Sequence, residues 1–575
     1  MSALKWWQSA VFYQIYPRSF ADGNGDGIGD FVGMLDKLDY LRDLGVDALW
    51  LSPHFPSPQF DVGYDVSDYV GVEPAYGTLD DFKRFLDGAH ARGMRVVLDL
   101  VLNHTSDQHG WFQESRRSVG DPKRDWYIWR PGRPEGGPPN NWQSVFGGSA
   151  WELDPLTGQY YYHFFFKEQP DLNWRNPEVR QAMWDATRFW LDLGVDGYRL
   201  DAVGTIFESE ELPDHPVKED LSALRRAISP FAGGKVEDRE AALKTYRSMF
   251  QHQHDLPEVH EVMRELRRVI DEYDDRVLIG ETEDIAFYGD GNDELHLNFN
   301  FGLINVNELT PDWIRRNQSE RLAALPAGAW PCNTLGNHDR GRLLSIFGRR
   351  DPKQDAGLAR VWLALMLTLK GTPFLYNGEE IGMTDLLLTD LADFRDNVGV
   401  WLANQITAEG RFDAAEVTRL AALNSRDRCR TPMPWSNAPN AGFSPVGVRT
   451  WLPVNPNYAQ GVNVADQESD PASVLSFYKR MLAFRRRSPA LIAGDYQSVL
   501  EGDSQLLAYV RRIPGEAEAC LVVLNTSGEA RSLAIDSVRG PVTCLFSTDR
   551  AEGQQDDLQA LSIAPFEVLV SALPA

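Results

Sequence analysis

Eight short apolar runs punctuate the chain: VFYQIYP, VDALWLSP, RVVLDLVLNH, GYRLDAV, RVLIGETED, LHLNFNF, WPCNTLGNHD and TPFLYNGEE. None keeps the polar alternation of a sheet with one wet face, so each reads as a strand covered on both sides, as in a parallel sheet wrapped by helices. Helical patterns fill the gaps. After Thr78 as N-cap, Phe82, Phe85, Leu86 and Ala89 share one stripe, and Gly93 ends it. After Asn176, Pro177 takes the first helical position, Val179, Met183, Ala186 and Trp190 line one face, and Gly194 stops the helix. Strand and helix alternating in this way predict an α/β fold, a (β/α)8 TIM barrel.

Three stretches break the alternation. Residues 105–173 form a Gly/Pro/Trp-rich excursion after the third strand, too long for an ordinary loop, and read as a small inserted domain. A charged helical segment, residues 208–246, lengthens the connection between the fourth and fifth strands. From residue 492, alternating strands such as SQLLAYVRR and EACLVVLN are separated by turn signals and predict a C-terminal antiparallel β-sandwich domain. The barrel then comprises residues 1–104 and 174–491, the inserted domain 105–173 and the C-terminal domain 492–575.

Composition narrows the function. Lys+Arg 57 against Asp+Glu 83 gives a net charge of −26, which repels nucleic acid and anionic membranes and favours a neutral or cationic small-molecule substrate. With 17 Trp and 19 Tyr there is aromatic surface for stacking on a ligand as well as for a core. Cys332, Cys429, Cys520 and Cys544 have no zinc-like spacing and fit a reducing compartment. The N-terminus shows no signal-peptide h-region, so the expected location is cytoplasmic. The most lipid-like stretch, residues 361–369, is far shorter than the roughly 20 residues a bilayer needs and reads as a buried helix. No membrane or nucleic-acid partner is expected, and the chain is read as a monomer or homodimer.

Catalytic groups of a parallel barrel gather at the C-terminal strand ends. There the chain carries Arg199 and Asp201 in GYRLDAV, Glu281 in GETED, His338 and Asp339 in GNHD, and Asp99, Asn103 and His104 in DLVLNH. One such carboxylate is ordinarily a cap or an ion pair; three together, with arginine and histidine, suit acid/base chemistry. A separate loop, DGNGDGIGD, offers oxygen ligands at Asp22, Asn24, Asp26 and Asp30 and a carbonyl at Ile28, a spacing suited to a hard cation such as Ca2+ or Mg2+. Gly27 permits its turn, and Gly33 at the twelfth position departs from an EF-hand.

AVFYQIYPRSFADGNGDGIGD, DVGYDVSDY, DLVLNHTSDQH, QPDLNW, DGYRLDAV, GETED, GNHD, TPFLYNGEEIGM and SRDRCRTPMPW, in this order, resemble glycoside hydrolase family 13, the α-amylase family, and within it the α-glucosidase and oligo-1,6-glucosidase subgroup. The resemblance implies Asp201 as nucleophile, Glu281 as acid/base and Asp339 as the third catalytic carboxylate, with no cofactor for catalysis. Retaining hydrolysis sets the two reacting carboxyls about 5 to 5.5 Å apart. Arg199 is expected to hold Asp201 ionised while Glu281 keeps its proton. By the same resemblance Tyr64 stacks on the terminal glucose, His104 and His338 bind hydroxyls, and Phe146, Phe165 and Gln169 line the wall. Asp61 pairs with Arg426, or alternatively Arg430, to close the far end and make the enzyme exo-acting. The loop at Asp22 resembles the family's calcium loop and is expected to be structural. The residue after the nucleophile, Ala202, faces the leaving sugar; Val there accompanies α-1,6 preference in the family, and Thr or Ala α-1,4.

The resulting expectation is a retaining α-glucosidase that releases glucose from the non-reducing end of short α-glucosides, α-1,4 preferred, with transglucosylation. A trehalose synthase-like isomerase or transglucosylase of the same family is the nearest rival. A non-catalytic relative, like the heavy chains of amino-acid transporters, is disfavoured because all three carboxylates are present.

Overall fold

The computed structural model describes residues 4–228, 236–516, 518–535 and 540–573. Eight parallel strands form one sheet: β1 (Phe12–Ile15), β2 (Ala48–Leu51), β3 (Arg95–Val101), β4 (Gly197–Asp201), β5 (Val277–Gly280), β6 (Leu297–Asn298), β7 (Cys332–Thr334) and β8 (Thr372–Tyr376). A parallel bridge between Phe299 and Cys332 joins the two ends of this sheet and closes the TIM barrel.

The strands are apolar throughout because both faces are buried. Outward positions such as Tyr13, Leu49, Leu51, Val96, Leu98, Tyr198 and Leu200 pack against the surrounding helices. Inward positions, among them Phe12, Ala48, Trp50, Val97, Val277, Ile279, Leu297, Cys332 and Phe374, fill the barrel itself. Two residues further on, the inward face turns polar: Gln14 follows Phe12, Asp99 follows Val97, and Glu281 follows Ile279. The apolar plug thus carries a polar layer on its C-terminal side.

The helices begin and end on the expected residues. Thr78 caps Leu79–Ala91 with a reciprocal capping box to Asp81, and Asn176 caps Pro177–Asp192, whose stripe of Val179, Met183, Ala186 and Trp190 is buried. Residues 361–369 lie mainly in the helix Pro352–Thr368, buried against the barrel, and among the described residues no helix is long and apolar enough to cross a membrane.

The excursion after β3 contains a three-stranded antiparallel sheet, Trp129–Arg130, Gln159–Tyr162 and Trp151–Asp154 in spatial order. The charged segment between β4 and β5 supplies the helices Leu221–Ile228 and Val236–Met249, while its residues 229–235 lie outside the described residues. Leu221, Leu224, Met249 and Phe250 share a core with Trp142, Trp151, Tyr162 and Phe164, so this insertion rests on the excursion.

At the C-terminus a six-stranded antiparallel sheet begins at Asp495, and a two-stranded ribbon of Arg531–Leu533 and Leu561–Ile563 faces it. Strand alternation gives that sheet two buried faces. Leu507, Tyr509, Val522 and Leu524 pack on the barrel, whereas Leu506, Ala508, Leu521 and Val523 pack with Leu533, Leu561 and Ile563 of the ribbon.

Candidate active site

The polar layer above the barrel plug is organised around Arg199, which is fully buried on β4. Its Nη1 donates to Asp99 Oδ1 at 2.7 Å and Asp201 Oδ1 at 2.8 Å, and Nη2 lies 2.8 Å from Glu281 Oε2. Parallel register places Asp99 beside Arg199 and Val101 beside Asp201, and β5 delivers Glu281 one residue past its last strand residue. Three carboxylates from three adjacent strands therefore share one guanidinium.

That sharing alters the expected division of charge. Burial and the neighbouring Glu281 push the Asp201 carboxyl well above the usual carboxylate range, against the pull of Arg199. Burial likewise raises Asp99 to about 6, with Arg199 opposing. One cation therefore serves three carboxyls, and Asp99 and Asp201 are both pushed up against its pull. Arg199, despite its burial, is fixed as a cation by the carboxylates around it.

The second catalytic candidate group follows β7. Tyr64 donates to Asp99 Oδ2 at 3.1 Å and meets His338 Nε2 at 2.6 Å, with the two rings stacked at 5°. His338 also contacts the Gln14 amide at 2.7 Å and Asp339 Oδ2 at 3.3 Å. Burial pushes the His338 imidazole well below its ordinary range, against the pull of Asp339. Burial would raise Asp339, but His338, Arg430 and Arg426 overcome it and hold the carboxyl far below the usual range.

At the far wall Arg426 Nη2 donates to Asp61 Oδ1 at 2.6 Å and to Asp396 Oδ1 at 2.7 Å. Arg430 instead donates to Asp339 Oδ1 at 2.6 Å, which resolves the choice between the two arginines for the Asp61 pair. Gln169 Nε2 links Asp61 at 3.2 Å to His104 at 2.9 Å. Burial lowers His104 to about 3. Phe165 sits edge-on to His104 at 5.0 Å, Phe146 lies 5.3 Å from Phe165, and the Arg426 guanidinium covers Phe146 at 5.5 Å. Every site residue proposed from the sequence outside the DGNGDGIGD loop thus belongs to one connected constellation, Ala202 through a backbone hydrogen bond to Glu281.

The profile described as "Alpha amylase, catalytic domain" matches residues 14–494. The chain belongs to the α-amylase family. It is a glycoside hydrolase of the α-glucosidase subgroup, glycoside hydrolase family 13. It is 38% identical over 583 residues to an oligo-1,6-glucosidase of Parageobacillus thermoglucosidasius, covering 98% of each chain. It is also 40% identical over 537 residues to a probable α-glucosidase of Rhizobium meliloti (strain 1021), covering 91% of this chain and 90% of the relative. Among solved structures it resembles the trehalulose synthase MutB from Pseudomonas mesoacidophila MX-45, with a TM-score of 0.86 and 37% identity over 99% of this chain and 100% of the other.

Around this α-amylase-family pocket the structure adds groups that sequence reasoning missed. Asp396 accepts from the Arg426 backbone as well as its side chain, and no short motif marks it. Gln14 and Trp50 look like strand residues in sequence, yet Gln14 holds His338 and Trp50 donates to Asp99 at 3.2 Å; the signal was the polar or amphipathic residue at an inward strand position. Arg225, from the insertion between β4 and β5, reaches the rim: it donates to the Val145 carbonyl and lies 5.7 Å from the Phe146 ring and 5.8 Å from Trp401.

The DGNGDGIGD loop lies apart from these groups. Its side chains cap its own backbone: Asp22 accepts from Gly25 and Gly27, Asn24 from Asp26, Asp26 from Ile28, and Asp30 from Gly23, Asn24 and Gly33. Among the described residues no group of three or more His, Cys, Asp or Glu is gathered as for a metal. None of Asp22, Asp26 and Asp30 has an ion-pair partner there, and burial together with the Asp22 charge pushes Asp30 up. The donor set is all oxygen, which fits a hard cation. Ser444 donates to Asp22 at 2.6 Å, tying the loop to the segment beyond β8.

Proposed function

We propose that the protein is a retaining, exo-acting α-glucosidase that removes glucose from the non-reducing end of short α-glucosides, with α-1,4 preferred. The carrying observation is Arg199 held between Asp99, Asp201 and Glu281 at three adjacent strand ends, opposite a pocket wall closed by Asp61 and Arg426. Asp201 attacks the anomeric carbon as Glu281 protonates the leaving oxygen; water, deprotonated by Glu281, then releases glucose with its α configuration kept. Asp339, held ionised beside His338, binds hydroxyls next to the reacting carbon. Tyr64, His104, Phe146, Phe165 and Gln169 hold the terminal glucose.

The α-1,4 preference rests on Ala202 alone, and the relatives named oligo-1,6-glucosidases do not add to it. A second reading, sugar isomerisation or transglucosylation, is favoured by the likeness to trehalulose synthase. Both readings share the glucosyl-enzyme and differ in the acceptor. Incubation with maltose, isomaltose, sucrose, trehalose and kojibiose, with products and their initial anomer followed by NMR, separates them. α-Glucose appearing first, with higher kcat/KM on maltose than on isomaltose, supports the first reading. β-Glucose first overturns retention, and a rearranged disaccharide as main product replaces hydrolysis with isomerisation.

The proposal extends to a structural Ca2+ or Mg2+ ion on Asp22, Asn24, Asp26, the Ile28 carbonyl and Asp30, which would neutralise carboxylates that have no cationic partner among the described residues. A cytoplasmic location fits the four buried, unpaired cysteines, and a monomer or homodimer is the expected state.

A further inference from the structure

Arg225 lies on the helix Leu221–Ile228 of the insertion between β4 and β5, outside the groups gathered around Arg199. Leu221 and Leu224 seat that helix in the apolar core shared with the excursion after β3. Arg225 makes a different set of contacts. Its guanidinium donates to the Val145 carbonyl, lies 5.7 Å from the Phe146 ring and 5.8 Å from the Trp401 ring, and is hydrogen-bonded to the Tyr246 hydroxyl of the helix Val236–Met249. Among the described residues it forms no ion pair, so its contacts with a carbonyl and with aromatic rings are what hold it in place.

The loop that Arg225 grips carries Phe146. The Val145 N–H donates to the Phe164 carbonyl at 2.8 Å, which leaves the Val145 carbonyl for Arg225. Gly147, at φ 108°, comes so close to Trp401 that a Cβ there would sit 2.1 Å from the indole. Trp401 belongs to the helix Asn397–Glu409, whose N-terminal end reaches the far wall of the pocket: Asp396 caps it while accepting from Arg426 at 2.7 Å, and Asn397 donates to the carbonyl of Phe60, next to Asp61, at 2.6 Å. At the other end Glu409 pairs with Arg226, the neighbour of Arg225, at 2.7 Å. One helix of the insertion thus meets both the Phe146 loop and the helix capped by Asp396.

We propose that Arg225 is a positioning residue for the glucose pocket: by joining the Val145–Gly147 loop to Trp401 it holds the Phe146 ring in place as a wall against the terminal glucose. The inference rests on the reading of Phe146 as part of that wall. Phe146 also packs on Phe165 at 5.3 Å and Phe166 at 4.5 Å. Apolar packing is non-directional, whereas a charge-assisted hydrogen bond to the preceding carbonyl and a cation beside the ring set where the loop stands. The glucose keeps its contact with the wall from bound substrate to transition state. A loosened wall therefore weakens both states alike and raises KM more than it lowers kcat.

Arg225→Met removes charge and donors while keeping a long side chain; Arg225→Lys restores a charge and a donor. Arg225→Met should raise KM for maltose and for α-glucosyl fluoride by the same factor, about 5- to 10-fold, with kcat within about twofold of wild type. The Kd of 1-deoxynojirimycin, a glucose-sized ligand with no leaving sugar, should rise by that factor in calorimetry. Arg225→Lys should return all three to within about threefold of wild type. Because Arg225 acts through Phe146, Arg225→Met added to Phe146→Ala should cost less than about twofold more. A loss confined to maltose would place Arg225 on the leaving sugar; that result, a loss in kcat alone, fully additive losses in the double variant, or a folded Arg225→Met with wild-type affinity overturns the proposal. If thermal unfolding shows that Arg225→Met does not fold, Arg225→Gln carries the same comparisons. Phe146→Ala alone tests the underlying reading: it should weaken 1-deoxynojirimycin at least as much as Arg225→Met does. Unchanged affinity in Phe146→Ala refutes the wall and the proposal with it, whereas unchanged affinity in Arg225→Met alone refutes only the proposal.

Discussion

Asp61→Ala is the sharpest test of a pocket closed at its far end. Asp61 is 4% exposed, accepts from Arg426 at 2.6 Å and from Gln169 at 3.2 Å, and burial pushes its carboxyl up against the pull of Arg426. Arg426 and Arg430 face three carboxylates here, Asp61, Asp339 and Asp396. Removing Asp61 leaves two carboxylates for two guanidiniums, so no buried charge is stranded and the fold should persist. Arg426→Ala, by contrast, would strand Asp61 and Asp396, at a cost of about 3 to 5 kcal/mol in stability. If Asp61 receives a glucose hydroxyl, its loss forfeits a charge-assisted hydrogen bond worth about 1.5 to 3 kcal/mol, or roughly 10- to 150-fold in kcat/KM. The same factor should appear with maltose and with α-glucosyl fluoride, because both place the same glucose in the pocket. Thermal unfolding checks the fold and initial rates check the activity. A well-folded variant within twofold of wild type on both substrates would refute the closed-pocket assignment.

Asp201→Ala and Glu281→Gln should each lower maltose turnover by several orders of magnitude; azide should rescue Asp201→Gly with β-glucosyl azide and Glu281→Ala with α-glucosyl azide, and the opposite pairing would exchange their roles. Chelation should lower the Tm while activity at low temperature survives, and immediate loss of activity in a folded protein would place the ion in the chemistry. His54, fully buried, with no hydrogen-bond partner on either ring nitrogen among the described residues and stacked on Phe82, is lowered by burial to about 3. The unfolded chain therefore binds a proton below about pH 6.5 that the folded state refuses, and His54 alone removes about 2 kcal/mol of stability between pH 6.5 and 5. His54→Phe should cancel that loss in urea unfolding at the two pH values; an unchanged pH dependence would show that His54 is not neutral in the fold.

The barrel was legible because its determinants are local. Apolar runs with no polar alternation, Thr78 and Asn176 as caps and Gly93 and Gly194 as stops each act within a few residues. The groups around Arg199 were legible for a related reason, since strand ends of a closed barrel converge wherever the strands lie in sequence. Asp396 was not. It is 30 positions from Arg426 and 335 from Asp61, inside a segment without motif, and only the packing after β8 makes it a partner. The insertion between β4 and β5 resisted for another reason: its helices bury Leu221 and Leu224 against aromatic residues of the excursion after β3, a contact that helical periodicity cannot assign to a partner. Arg199 beside Asp201 was legible along one strand, whereas the two further carboxyls on the same guanidinium come from β3 and from beyond β5.

The surplus of carboxylates has a chemical reading. Asp99, Asp201 and Glu281 share Arg199, and Asp61, Asp339 and Asp396 share Arg426 and Arg430, so six carboxyls face three guanidiniums. A neutral sugar gains little from that imbalance. The oxocarbenium-like transition state of glycoside cleavage is positively charged at the anomeric carbon, and carboxylates preorganised beside it stabilise it more than the ground state. The arginines then serve less to bind substrate than to hold carboxylates close together that would otherwise repel or take up protons. Asp339 illustrates the arrangement: the two guanidiniums beside its half-buried carboxyl help hold it far below the usual range. Asp201 is the counterpart, raised by its own burial and by Glu281 against the pull of Arg199.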